Sequence, residues 1–201
     1  MNDAAGDSDR DLMRRTAAGD RGAFETIYRT HHAAVYRFAR LMTGSSAAAE
    51  DVAQEVFLAL MRDASRYDAD RASLTTYLYG SARHLTRRRL LRDRLFVTID
   101  IANSDLCIPS GSEDASEELI RQRDVQQLRR AIVRLPTRYR EVIVLCDLQD
   151  LSYADAAKTL GCALGTVRSR LHRARQLLTE KMQRRLACAE GPRSRTLRYE
   201  V

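Results

Sequence analysis

The chain contains no tryptophan, nine glycines and three prolines among 201 residues. With alanine, leucine and arginine abundant, that shortage of chain breakers favours an all-α protein. Four cysteines stand at 107, 146, 162 and 188 with no C-x-x-C and no paired histidine spacing, which argues against a zinc site and a disulfide framework. Cys146 and Cys162 are expected as small buried hydrophobes. No apolar run approaches the roughly 18 residues that span a bilayer, and the polar, acidic N-terminus is no signal peptide, so a cytoplasmic protein without membrane insertion is expected. A Gly-rich phosphate loop, H-E-x-x-H and G-x-S-x-G are all missing, and adjacent acids such as Glu50-Asp51 and Glu117-Glu118 point in different directions. No catalytic set, cofactor or metal is expected.

What is present is positive charge. The net charge of +7 suits a polyanionic partner. It is concentrated in Leu151 to Arg175, LSYADAAKTLGCALGTVRSRLHRAR. Ser152 and Asp155 form a capping-box start, with hydroxyl and carboxylate satisfying free N–H groups. Ala154, Ala156, Ala157 and Leu160 give a small apolar face, and Gly161 supplies the backbone freedom of a helix C-terminus. A second helix restarts by Leu164, with Val167, Leu171, Ala174 and Leu178 inward. Its other face carries Arg168, Ser169, Arg170, His172, Arg173 and Arg175, with no acid between Ala163 and Arg175. A solvated arginine face is the plain alternative, but a basic, hydroxyl-bearing second helix is what a helix-turn-helix presents to the major groove.

Upstream, four helices are read between Asp9 and about Arg94. The first stops near Gly19-Asp20. The second runs to Thr43-Gly44 and carries His31 and His32, expected as ordinary, partly exposed histidines. The third spans Ala47 to about Ala64, with Val52, Val56, Phe57, Leu60 and Met61 on its apolar face. Asp51, Gln54, Glu55 and Arg62 line its polar face, the first three as one acidic patch. A loop, Arg66 to Ser73, leads into a fourth helix from about Leu74. There Tyr77 and Tyr79 precede Arg83, His84, Arg87, Arg88, Arg89, Arg92 and Arg94. Aromatics near a loop followed by arginines suit single-stranded DNA, since rings stack on bases while guanidiniums track phosphates. Either tyrosine could equally be a core aromatic.

Leu95 to Ile120 holds six acids and neither lysine nor arginine, and reads as a flexible acidic linker. Its apolar residues Phe96, Val97, Ile99 and Ile101 are expected to pack on the first domain or a partner. A second helical domain begins at Arg121, with Val125, Leu128, Ile132 and Leu135 on one helix face and Tyr139, Val142, Ile143 and Leu145 on the next. The expected organisation is residues 1–95, a linker 96–120, a helix-turn-helix domain 121–186, and a basic, disordered tail 187–201.

The pattern LSY-x-x-A-A…LG-x-x-x-GTVRSRLHRAR, together with LP-x-R-x-R-E-V-I-x-L and AEDVAQEVFLAL, resembles bacterial RNA polymerase sigma factors of the extracytoplasmic-function type over roughly residues 10 to 185. The resemblance implies a protein that binds core polymerase and directs initiation at promoters with −35 and −10 elements. Asp51, Gln54 and Glu55 would meet the β′ clamp helices, and the C-terminal domain would meet the β flap. Arg168, Ser169, His172 and Arg173 would reach −35 base edges, with Arg170 and Arg175 on phosphates. Tyr77, Tyr79, Arg83, His84, Arg87 and Arg88 would act at the opened −10 strand. An anti-sigma factor would be its antagonist, and the linker would thread the RNA-exit path. Three positions depart from the family: Ala163 where proline is frequent, Tyr77 where tryptophan is usual, and His84 where asparagine is common. The last leaves the preferred −10 base open. Two rivals are a stand-alone helix-turn-helix regulator, which would need a dimer seam that the sequence does not offer, and an antagonist mimicking sigma, which should lack the DNA-facing arginines.

Overall fold

The structure, a computed structural model, describes residues 3–96 and 117–189, with side chains within 9–92 and 121–184. The described residues form helices α1 (Asp3–Ala17), α2 (Arg21–Thr43), α3 (Ser46–Arg62), α4 (Leu74–Phe96), α5 (Glu117–Val133), α6 (Thr137–Ile143), α7 (Tyr153–Leu160) and α8 (Leu164–Ala189), and contain no strand. A 3₁₀ turn, Ala64–Arg66, succeeds α3, and a π turn, Val144–Leu148, succeeds α6.

Side-chain caps set the α2 and α3 boundaries. The Asp20 carboxylate accepts from the N–H groups of Gly22 and Ala23 at 2.8 and 3.1 Å, starting α2. A hydrogen bond from Arg15, with those N–H groups, holds the Asp20 carboxyl below its usual pKa. Gly44 ends α2 at φ 77°, a left-handed conformation that only glycine adopts cheaply. One residue later the Ser45 hydroxyl caps α3.

Helical periodicity then decides what is buried. α2 turns Ile27, Val35, Phe38 and Met42 inward, α3 contributes Val52, Val56, Phe57 and Leu60, and α4 contributes Leu74, Leu78 and Ala82. In the C-terminal half, Val142 to Leu145 meet Ala156 and Leu160 of α7 and Val167, Leu171 and Ala174 of α8. Burying each large aliphatic or Phe side chain contributes about 1.5–3 kcal/mol. The two halves also join: their buried side chains form one apolar cluster, with α2 against α5 and α4 against α7.

Several expectations are corrected. α1 starts at Asp3 rather than near Asp9, α5 starts at Glu117 within the expected linker, and α8 continues through Ala189 into the expected tail. α3 ends at Arg62, before the 3₁₀ turn. Met61, expected inward, is 52% exposed, because its position lies a quarter turn off the Val56–Leu60 stripe. Ala154 faces solvent, leaving Ala156 and Leu160 as the buried part of the α7 face. Cys146 and Cys162 are half-buried at the edge of the core rather than inside it. His31 and His32 are partly exposed, in agreement with the sequence, and His32 stacks on Tyr28 at 4.6 Å. Residues 97–116 and 190–201, and the side chains of Phe96 and Cys188, lie outside the described residues.

Candidate nucleic-acid and polymerase interface

The α7–α8 hairpin builds its exposed face from a short set of local rules. The Ser152 hydroxyl accepts from the Asp155 N–H at 3.0 Å and donates to the Asp155 carboxylate at 2.7 Å, so serine caps the backbone while aspartate holds serine. Gly161, at φ 63°, closes α7 with its N–H on the last carbonyls. α8 restarts without proline: the Ala163 carbonyl accepts from Thr166 and Val167. Val167, Leu171 and Ala174 are buried, which leaves Arg168, Ser169, His172 and Arg173 on one exposed strip.

These polar side chains differ in their partners. Arg168 makes no hydrogen bond or ion pair among the described residues. The Ser169 hydroxyl donates to the Thr166 carbonyl at 3.1 Å. Gln176 accepts from Arg173 Nη1 at 3.1 Å and meets His172 Nε2 at 3.0 Å, tying both side chains together. Arg170 is half-buried. Arg175 is engaged by the Asp147 carboxylate, whose hydrogen bonds raise the guanidinium pKa.

The α3 face combines charge with apolar surface. Asp51, Gln54 and Glu55 are exposed and continue along one stripe into Leu58, 58% exposed, and Met61. Asp51 Oδ2 accepts from Arg89 Nη1 at 2.7 Å, so the first acid of the patch is shared with α4. Leu58 was not legible as a surface residue by type, though its spacing of three and four from Glu55 and Gln54 puts it on that face.

α4 divides its aromatic and basic residues between two environments. Tyr77 is half-buried, edge-on to Tyr67 at 5.6 Å. Tyr79, 3% exposed, lies in the core with its ring 5.5 Å from Phe38 and its hydroxyl donating to Gln149 Oε1 at 2.7 Å. Burial raises that phenol to about 12. A ring so covered cannot stack on a base in this arrangement, so of the two tyrosines Tyr79 is the core one. Arg83, His84, Arg87, Arg88, Leu91 and Arg92 line a groove of about 570 Å³. His84 and Arg88 are exposed, while Arg83 is drawn to Glu141 of α6 at 3.0 Å. Glu141 shares a helix face with Leu145, an acid at a core position, and that pattern is the signal by which it could have been found.

Among the described residues, no cluster of His, Cys, Asp and Glu could hold a metal ion, and no helix is long and apolar enough to cross a membrane.

Residues 27–95 match the family described as Sigma-70 region 2, and residues 125–178 match Sigma-70, region 4. The chain is 34% identical over 171 residues to the ECF RNA polymerase sigma factor SigM of Mycobacterium tuberculosis, covering 85% of this chain and 83% of that protein. It is 29% identical over 181 residues to the ECF RNA polymerase sigma factor SigW of Bacillus subtilis, covering 85% and 95%. The fold resembles the sigma factor RpoE of Bartonella quintana, solved with the anti-sigma factor NepR, at TM-score 0.59 and 26% identity over 80% of this chain and 96% of that one. CnrH, solved with the cytosolic domain of CnrY, shares the fold at TM-score 0.65 and 24% identity, covering 88% and 98%. The chain belongs to the extracytoplasmic-function RNA polymerase sigma factors of the sigma-70 family.

Proposed function

We propose that this chain binds core RNA polymerase and directs initiation at promoters whose −35 element is read by α8 and whose opened −10 strand is read along α4. The acid-free strip of Arg168, Ser169, His172 and Arg173 on α8 carries this reading. A guanidinium there pairs bidentately with guanine O6 and N7, worth about 1–3 kcal/mol of discrimination. Arg170, beside the strip, is assigned to phosphate, which adds salt-dependent affinity without sequence choice. On α4, Tyr77 supplies a stacking ring while His84, Arg87 and Arg88 track the strand.

Core polymerase docks on the α3 stripe. Asp51, Gln54 and Glu55 give register and charge complementarity to the clamp helices of β′, and Leu58 and Met61 provide apolar area. The second half engages the β flap. By analogy with RpoE, a protein anti-sigma factor is the natural antagonist.

Run-off transcription with core polymerase and a library of promoter fragments tests the reading. Selective initiation that falls with Asp51→Ala and Gln54→Ala is expected. Leu58→Ala, at a position contributing nothing to the core, should weaken core binding without lowering Tm. Tight binding to duplex DNA with no initiation in any fragment would instead make the chain a stand-alone regulator.

A further inference from the structure

Six glycines lie among the residues with described side chains, and four of them have a reason within the fold. Gly19, Gly44 and Gly161 take positive φ, where other residues are strained. A Cβ on Gly22 would stand 3.3 Å from Asp20 Oδ1 and crowd the carboxylate that caps α2. Gly80 and Gly165 have no such reason. Both sit in ordinary helical backbone, and a Cβ on either would meet no atom within 4 Å. Glycine inside a helix is less stable than alanine, because it loses more backbone freedom on folding. The fold alone therefore favours a side chain at both positions.

Placement is what the two share. α4 turns Leu74, Leu78 and Ala82 inward, so Tyr77, Gly80, His84, Arg87 and Leu91 lie together on its opposite face. At about 1.5 Å per residue, Gly80 stands roughly 4.5 Å along the axis beyond Tyr77 and roughly 6 Å before His84. With His84 begins the open groove that Arg87 and Arg88 also line. Gly165 stands three, four and seven positions before Arg168, Ser169 and His172, on the acid-free strip of α8. The two glycines that the fold does not need thus occupy the two faces assigned to DNA.

A helix backbone left bare where a side chain would fit lets another molecule come close. On α4 the neighbours say which part of it. Tyr77 offers a ring that stacks on a base, and one turn further His84 and Arg87 meet phosphate. The deoxyribose is what joins base to phosphate in a nucleotide. We propose that Gly80 is the point at which a deoxyribose of the opened −10 strand lies directly on the backbone of α4. The inference rests on the function proposed for that helix. A methyl group at position 80 would lift the sugar, and the base would leave the Tyr77 ring or the phosphate its cations. Fold and strand therefore favour different residues at this one position.

The test compares Gly80→Ala, Gly80→Leu and Tyr77→Ala in the full chain. Thermal melting reads the fold. Anisotropy of a fluorescein-labelled, mixed-sequence DNA single strand reads affinity for the chain saturated with core polymerase, with core alone as the baseline. Alanine and leucine are both strong helix formers, so each Gly80 variant should melt about 1–4 °C higher than the unaltered protein. Strand affinity should fall about tenfold in Gly80→Ala, the size of a weakened base stack, and further in Gly80→Leu. Unchanged or tighter binding by both Gly80 variants, with Tyr77→Ala weakened, overturns the proposal and leaves the reading of α4 standing. A fall in affinity and Tm together also overturns it, because glycine would then be serving the fold. Equal binding by all three variants and the unaltered protein, or none above core alone, overturns the reading of α4 itself and the Gly80 contact with it.

Discussion

Arg175 grips Asp147 through two hydrogen bonds, Nε to Oδ2 at 2.9 Å and Nη2 to Oδ1 at 2.7 Å, binding α8 to the π turn. Arg168, on the same helix, has no such tie among the described residues. The two arginines therefore do different things. Arg168→Ala is expected to cost about 1–3 kcal/mol at promoters carrying one base and little at others. Arg175→Ala should lower stability by at most about 1 kcal/mol, since the pair is half-exposed, and depress use of all −35 sequences alike. A promoter-library profile with thermal melting separates them, and equal, sequence-independent losses would sink the assignment.

Gln176 joins His172 to Arg173 on the exposed strip of α8. Removing it as Gln176→Ala frees both side chains, and each must then be ordered again on binding. The expected result is relaxed preference at two adjacent positions of the −35 element, with Tm moved little. A profile unchanged at both positions would show the bridge to be incidental.

Tyr77 and Tyr79 should separate cleanly. Tyr79→Ala removes a buried ring and is expected to destabilise by about 3–5 kcal/mol, as large aromatic truncations in cores do. Tyr79→Phe loses one hydrogen bond, about 1 kcal/mol. Tyr77→Ala should leave a folded protein that melts the −10 region poorly, measured by permanganate reactivity of unpaired thymines in complex with polymerase.

Burial, with Asp147 adding to it, pushes the Cys146 thiol up to about 11. The thiolate is the nucleophile, so at about pH 8 the folded protein should react with an alkylating reagent at Cys146 far more slowly than the unfolded chain does. Stability carries the same sign. The fold favours the neutral thiol, so this contribution is intact below the ordinary thiol value of 9.0 and is lost as pH rises toward about 11. Peptide mapping of alkylated Cys146, native against urea-unfolded, checks it.

The elements that the sequence made legible are those whose signals are local. Asp20, Ser45 and Ser152 cap helices within three residues, and Gly44 and Gly161 end them. Val167, Leu171 and Ala174 show their inward face by spacing alone. The features that stayed hidden depend on distant partners. Nothing near Tyr79 says that Gln149 will receive its hydroxyl, and nothing near Arg83 says that Glu141 will accept from its guanidinium. Met61 sits at the margin of the α3 stripe, where its apolar type points inward but its position leaves it exposed.

The π turn at Val144–Leu148 fits one more residue into its turn than an α-helix would, and the Leu151 N–H closes on the Leu145 carbonyl at 3.0 Å. The turn therefore takes up one residue of chain length: five residues at roughly 80° each advance the chain about as far as four at about 100°. Deleting one residue there would let the segment rewind as ordinary α-helix with the α7–α8 hairpin leaving in nearly the same direction. The same deletion inside α8, where no such slack exists, would turn everything beyond it by about 100°. Val144–Leu148 is thus the place in this half where chain length and direction are uncoupled.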